Sequence, residues 1–174
     1  ADIFCSIEEG IKGKRAKEWR LVDEVVANSK FDAAVKERAA EFAANSTKAN
    51  VDKGIALTPL NRTIAEDGSL SYSVVEVTLD RKSKTATITI AGPDQDVPAN
   101  MATFTDQGAD AYMLRAAREL DDAILHLRLN EMEIGTLVFK TQGDPEHVLA
   151  HEALLLKNQD HWLANEVLKY WKRI

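Results

Sequence analysis

Two histidines four residues apart, His147 and His151, stand on a stretch that reads as helix, with Glu146 and Glu152 beside them and His161 further along. That spacing puts both imidazoles on one helical face, an arrangement that suits zinc. The metalloprotease pattern would need a glutamate directly after the first histidine, and there is none. Spacing fixes no third ligand either, so the pair reads as half-exposed polar residues and no metal is expected. Lys12, Lys14, Arg15 and Lys17 form a basic run. Lysine and arginine suit phosphate oxygens, although such runs are more often a solvated helix start. Lys12, Lys14 and Arg15 are therefore weak candidates for phosphate contact. Cys5 would need a depressed pKa and access to react, and burial as a small hydrophobe is the plainer expectation. Trp19, Trp162 and Trp171 read as anchors on helix faces rather than as a cofactor box.

Composition narrows the class. The chain has 174 residues, 45% hydrophobic and 29% charged, with 8 Gly and 4 Pro, which argues for a folded α/β protein and against disorder. A net charge of −6 offers nucleic acid no electrostatic footprint. No apolar stretch approaches the roughly 20 residues that span a bilayer. The opening Ala-Asp-Ile-Phe-Cys has no basic region of a signal peptide. A single cysteine cannot close an intramolecular disulfide, which fits a reducing cytoplasm.

The elements that must hold these residues emerge from periodicity. Residues 14–19 read as a short helix feeding a strand-type run, Leu21 to Val26. Phe31, Val35, Ala39, Phe42 and Ala43 make a narrow apolar stripe over a helix at 31–45, which should pack on something. From Asn45 to Gly68 no period is sustained, and residues 46–70 read as a linker crossing a surface. Val75, Val77 and Leu79, then Ala86, Ile88 and Ile90, alternate with polar residues and predict a hairpin with one buried face, its loop at 81–84. Pro93 ends the second strand because it has no N–H for the ladder. Residues 94–108 read as irregular. A helix over 109–129 carries Met113, Ala116, Ala117, Leu120, Ile124 and Leu127 on one stripe, with i,i+4 pairs expected between Arg115 and Glu119 and between Arg118 and Asp122. Residues 135–140 read as a buried strand. Two helices finish the chain, at about 145–157 with Pro145 near its start, and from an N-cap at Asp160 onward. The last one carries Val167, Leu168 and Trp171 to the chain's end with no closing Gly, so the chain reads as cut within an element.

Two segments resemble opposite ends of the crotonase fold. Phe4 to Gly10 and Arg15 to Val25, with Leu21-Val22-Asp23, are similar to a late crotonase segment, and residues 31–45 to the long helix after it. Thr85 to Pro93 resembles an opening hairpin. The helix around Glu119 to Ile124 and the strand Thr136 to Phe139 resemble the first helix and the strand before the active-site loop in that fold. An end followed by a beginning points to a chain with two crotonase-like halves. The strings Ala16 to Val26, Ala117 to Leu125, and Gly143-Asp144, His151 and Asp160-His161-Trp162 resemble the benzoyl-CoA-dihydrodiol lyases, which have that organisation. The resemblance implies a partial crotonase-like α/β fold. Residues 1–45 would end a first half, 46–70 would link, and 71–174 would open a second, degenerate half.

The same resemblance implies a carbon–carbon lyase that opens the ring of a dihydrodiol CoA ester with water and releases formate. CoA is then part of the substrate, no separate cofactor is needed, and a cytoplasmic homodimer is expected. Crotonases polarise the thioester carbonyl with two backbone N–H groups, whose fixed dipoles stabilise an enolate. Neither donor motif is present: after Phe139 the chain runs Lys140 to His147 without the small-residue pair, and Pro145 removes a donor. Glu8, Glu9, Glu18 and Glu24 match no catalytic motif, so no catalytic residue is assigned and the chain by itself is expected to be inactive. The alternatives are a general enoyl-CoA hydratase or isomerase, whose glutamates would lie upstream, and a non-catalytic module that binds partners through its amphipathic helices.

Overall fold

The computed structural model describes residues 5–46 and 54–174, in two compact units, Ala1–Asp52 and Lys53–Ile174. In the first unit α1 (Gly13–Glu18) and α2 (Phe31–Ala44) form where periodicity places them, with a single turn of 3-10 helix at Asn28–Lys30 before α2. The stripe of α2 stays open: Phe31, Val35 and Phe42 are exposed, and Ala16 is the one buried hydrophobic side chain among this unit's described residues. Leu21 to Val26 is not a strand, and Leu21, Val22 and Val25 are exposed. A strand needs a partner for its N–H and C=O groups, and no strand among the described residues pairs with this run. Cys5 is likewise exposed rather than buried, because the unit's described residues form almost no apolar interior to receive it.

The second unit is a mixed α/β structure around a five-stranded sheet of order β1-β2-β3-β4-β5. Its strands are β1 (Thr63–Ile64), β2 (Leu70–Ser71), β3 (Val75–Asp80), β4 (Thr85–Ala91) and β5 (Thr136–Gln142). The β3–β4 hairpin follows the period of two: Val75 and Val77 of β3 and Ala86 and Ile88 of β4 are buried, while Glu76, Thr78 and Asp80 are exposed. The stretch expected to be a linker differs, because from Lys53 onward it belongs to this unit, with β1 and the start of β2 on the sheet. Two-residue strands are too short to show a period, which is why the sequence reads there as loop.

Strand β5 joins β4 in parallel, Ile88 beside Phe139 and Ala91 beside Gln142. A parallel neighbour needs a crossover, and α3 (Met101–Gln107) and α4 (Tyr112–Asn130) supply it. Helix α3 lies within the stretch read as irregular; the Asn100 side chain caps it by accepting from the Thr103 N–H at 3.0 Å, and Met101 and Phe104 bury one turn apart. As an edge strand β5 is exposed along most of its length, Phe139 at 53%, instead of buried as its apolar run suggested. Helices α5 (Pro145–Lys157) and α6 (Trp162–Arg173) follow, and the residue at the N-cap of α6 is His161, not Asp160.

Helix α4 buries Met113, Ala116, Ala117, Leu120, Ala123 and Leu127 against the sheet and α6. Its charged residues do not form the expected i,i+4 pairs. Glu119 is buried and accepts from the backbone N–H of Ser73, Val74 and Val75 at 3.2, 2.8 and 3.1 Å and from the Ser73 hydroxyl at 2.6 Å. Arg115 pairs with Asp94, Arg118 donates to the Thr58 carbonyl at 2.6 Å, and Asp122 takes Arg62 at 3.0 Å and the Tyr72 hydroxyl at 2.7 Å. Long-range partners win because an exposed i,i+4 pair is worth only about 0.2–0.5 kcal/mol, whereas a buried unpaired group costs several times that.

Replacing Glu119 strands three backbone donors at the entry to β3. Glu119→Ala should lower unfolding stability by about 3 kcal/mol or more, and Glu119→Gln by less, since one acceptor oxygen remains. Urea unfolding followed by circular dichroism measures both; an Ala variant within about 1 kcal/mol of wild type would refute this role for the carboxylate.

Candidate functional site

Adjacent parallel strands end together at the carboxyl ends of β4 and β5, the place where α/β sheets open a crevice for ligands. The chain leaves β4 through Ala91-Gly92 and β5 through Gln142-Gly143, and the two exits touch. The Gly92 N–H donates to the Gln142 carbonyl at 2.6 Å. Gly143 has φ +114, and a Cβ built on it would meet Gly92 N at 3.2 Å and Cα at 3.3 Å. Glycine is required there twice over, by dihedral and by space.

These exits border a cleft of about 730 Å³. Ile90, Met113, Val148, Leu149 and Leu168 give it apolar walls, with Tyr112 and Trp171 as aromatic ones. Its polar lining is Thr141, Gln142, Asp144 and Glu152. Both aromatic walls are anchored from behind. The Tyr112 hydroxyl donates to the Ala91 carbonyl at 2.9 Å, and the Trp171 indole N–H donates to the Met113 carbonyl at 2.8 Å. Burial raises the Tyr112 hydroxyl pKa, so the phenol stays a donor.

At the start of α5 the first two positions offer no free donor. Pro145 sits in the first turn and has no N–H, and the Asp144 carboxylate takes the Glu146 N–H at 2.9 Å. A helix start of this kind offers little to a developing oxyanion, and the Asp144 charge opposes one.

His151 is 2% exposed. Its Nε2 lies 3.2 Å from the Gln95 carbonyl, a contact that requires the proton on Nε2. Its ring meets Tyr112 edge-on at 5.5 Å and His147 at 5.3 Å. Desolvation first, then the neighbouring His147, lower its pKa and keep it neutral. The histidine pair thus packs ring against ring, and no group of three or more His, Cys, Asp or Glu side chains among the described residues could hold a metal ion. His161 leans on Trp162, ring centroids 6.1 Å apart.

The basic candidates lie in the first unit. Lys12 precedes α1 and Lys14 and Arg15 fall within it, all exposed, and the Arg15 guanidinium stands 4.8 Å from the Trp19 ring centroid. Trp19 is itself 37% exposed rather than a buried anchor. Trp171 combines the anchoring expected of it with a place in the cleft wall, which sequence reasoning missed. Glu152, noted beside the histidines in the sequence, lines the cleft. The one signal that could have found this site is Gly143-Asp144-Pro145: a strand end, an N-cap and a first-turn proline in succession.

No family model matches the chain. It is similar to a benzoyl-CoA-dihydrodiol lyase of Aromatoleum evansii, 40% identical over 173 residues, which bears out the resemblance read from the sequence. The match covers 99% of this chain and 31% of that protein, so the chain spans about a third of the relative's length.

Two outcomes test this geometry. Gly143→Ala should cost about 1–3 kcal/mol of stability, from strain at a dihedral that L side chains rarely adopt. A cost below about 0.5 kcal/mol in urea unfolding would refute the contact with Gly92. For His151 the folded pKa lies below the unfolded value near 6.5, so between the two values the unfolded state binds more protons. Stability should be unaffected above pH 7, fall as pH drops through about 6.5, and level off below the folded pKa. His151→Gln should flatten that segment of the stability curve; an unchanged slope would count against a neutral buried imidazole.

Proposed function

We propose that the chain is part of a crotonase-like benzoyl-CoA-dihydrodiol lyase that opens the ring of 2,3-dihydro-2,3-dihydroxybenzoyl-CoA hydrolytically with release of formate, in aerobic benzoate degradation. The observation that carries this is the identity of 40% running over 173 of the 174 residues, across both units. A similarity confined to one unit would support only a shared domain. In this reading residues 1–45 complete one crotonase-like half and 71–174 begin a second, while the stretch between them, first read as a linker, also adds β1 to the second unit's sheet. The hairpin, the helical crossover and the parallel β5 in the second unit are compatible with such an opening.

The second half serves structure rather than bond breaking. Its two buried polar side chains among the described residues, Glu119 and His151, are both engaged by backbone groups, which leaves neither free to move a proton to a substrate. The missing Pro145 N–H and the capped Glu146 N–H at the start of α5 point the same way. Lys12, Lys14 and Arg15, exposed and close in sequence, would meet a phosphate of the CoA moiety. The parent protein is a cytoplasmic homodimer in this account; the lone free Cys5 suits a reducing compartment, and no helix among the described residues is long and apolar enough to cross a membrane. Exposed Leu125, Leu129, Met132 and Phe139 give the second unit apolar surface for an interface.

The test is formate release from the dihydrodiol thioester. A protein extended to the relative's full length should turn over, and the 174-residue chain should not. In the extended protein, replacing Lys12, Lys14 and Arg15 together by Ala should raise KM up to about tenfold with kcat nearly unchanged, as loss of uniform binding does. Turnover by the short chain, or none by the long one, would overturn the proposal.

A further inference from the structure

The cleft at the ends of β4 and β5 has a charge character of its own. Asp144 and Glu152 are its titratable acids, and no lysine or arginine among the described residues lines it. Asp144 is committed to capping α5. The Glu152 side chain makes no hydrogen bond or ion pair with any described residue, and it lies on the same helix as Val148 and Leu149, with Tyr112 and Trp171 also lining the cleft. A carboxylate beside apolar walls acts at lower effective dielectric than in water, so it attracts a cation or a hydrogen-bond donor and repels an anion more strongly there.

We propose that this cleft is a binding site for a small aromatic or aliphatic molecule bearing a cationic or neutral hydrogen-bond donor, with Glu152 as the residue that selects against anions. The volume, about 730 Å³, falls within the range of small-molecule sites and exceeds what a single ring requires. Apolar and aromatic walls hold the body of the ligand, and Glu152 accepts from its donor. The anionic phosphates of a CoA ester would meet a carboxylate here, so this site is distinct from any that holds them. The assignment stands on the cleft alone and does not depend on the lyase reading.

Three probes with one ring and different charge decide it: benzylamine, benzyl alcohol and benzoate. Each is titrated into the 174-residue chain by saturation-transfer NMR and by intrinsic tryptophan fluorescence, with Trp171→Phe identifying which fluorescence change comes from the cleft. The expected order of affinity is benzylamine, then benzyl alcohol, then benzoate, with benzylamine at least about threefold tighter than benzoate. Glu152→Gln should collapse that ratio towards one while leaving benzyl alcohol within about twofold. Val148→Trp, which fills the wall, should abolish all three. Benzoate binding as tightly as benzylamine, a ratio untouched by Glu152→Gln, or binding that survives Val148→Trp would each overturn the assignment. Circular dichroism on both variants separates lost binding from lost folding, and Leu149→Trp replaces Val148→Trp if the latter unfolds.

Discussion

The carboxylate of Glu119 is the fixed point of the larger unit. Desolvating a carboxylate costs several kcal/mol, and only a full set of donors offsets it. Three consecutive backbone N–H groups and a serine hydroxyl provide that set at the bend between β2 and β3. One side chain therefore fixes the height of α4 over the sheet and the point where β3 begins. Register does the rest. With Val75 opposite Ile90, the end of β4 is set, and with Ile90 beside Thr141, so is the end of β5.

Helix α4 extends this logic along its length. Arg115 reaches Asp94 after β4, Arg118 reaches the Thr58 carbonyl, Asp121 accepts from the Tyr170 hydroxyl at 2.8 Å, and Asp122 holds Arg62 and Tyr72. Burial, and then the bond to Asp121, push the Tyr170 pKa up to about 12, so this tether stays a phenol donating to a carboxylate across the neutral range. Each exposed pair is weak taken singly. Their joint effect is positional: the segment before β1, the loop after β4 and α6 are all referred to the same helix.

The sequence disclosed elements whose periods run long enough to be read, and it hid those set by partners. The β3–β4 hairpin and α4 carry their own alternation and stripe, so both were legible. Helix α3 is two turns long and its Asn100 cap is a single residue, too little pattern to stand out from loop. Strand β5 looked like a buried strand because Thr136 to Phe139 is largely apolar, yet burial is a property of neighbours, and β5 has a strand on one side only among the described residues. The charges of α4 misled for a related reason: spacing along a helix shows which pairs could form, and cannot show that Ser73 and Asp94 offer better partners. The cleft stayed hidden because its lining comes from β4, α4, β5, the β5–α5 turn, α5 and α6, which converge only in the fold.

The start of α5 also bears on what the cleft beside it can bind. Stabilising an oxyanion requires uncommitted donors at a strand-to-helix turn, whereas stabilising a helix end requires that its donors be capped. The two demands fall on the same N–H groups. At Asp144-Pro145-Glu146 the capping demand has won: proline deletes one donor, the aspartate consumes another, and its charge would raise the energy of any enolate oxygen nearby. The Gly92–Gly143 contact keeps the two strand exits together all the same, so the crevice persists as a shaped apolar space. With two of its first-turn donors removed from use, the cleft offers a ligand its apolar walls and Glu152.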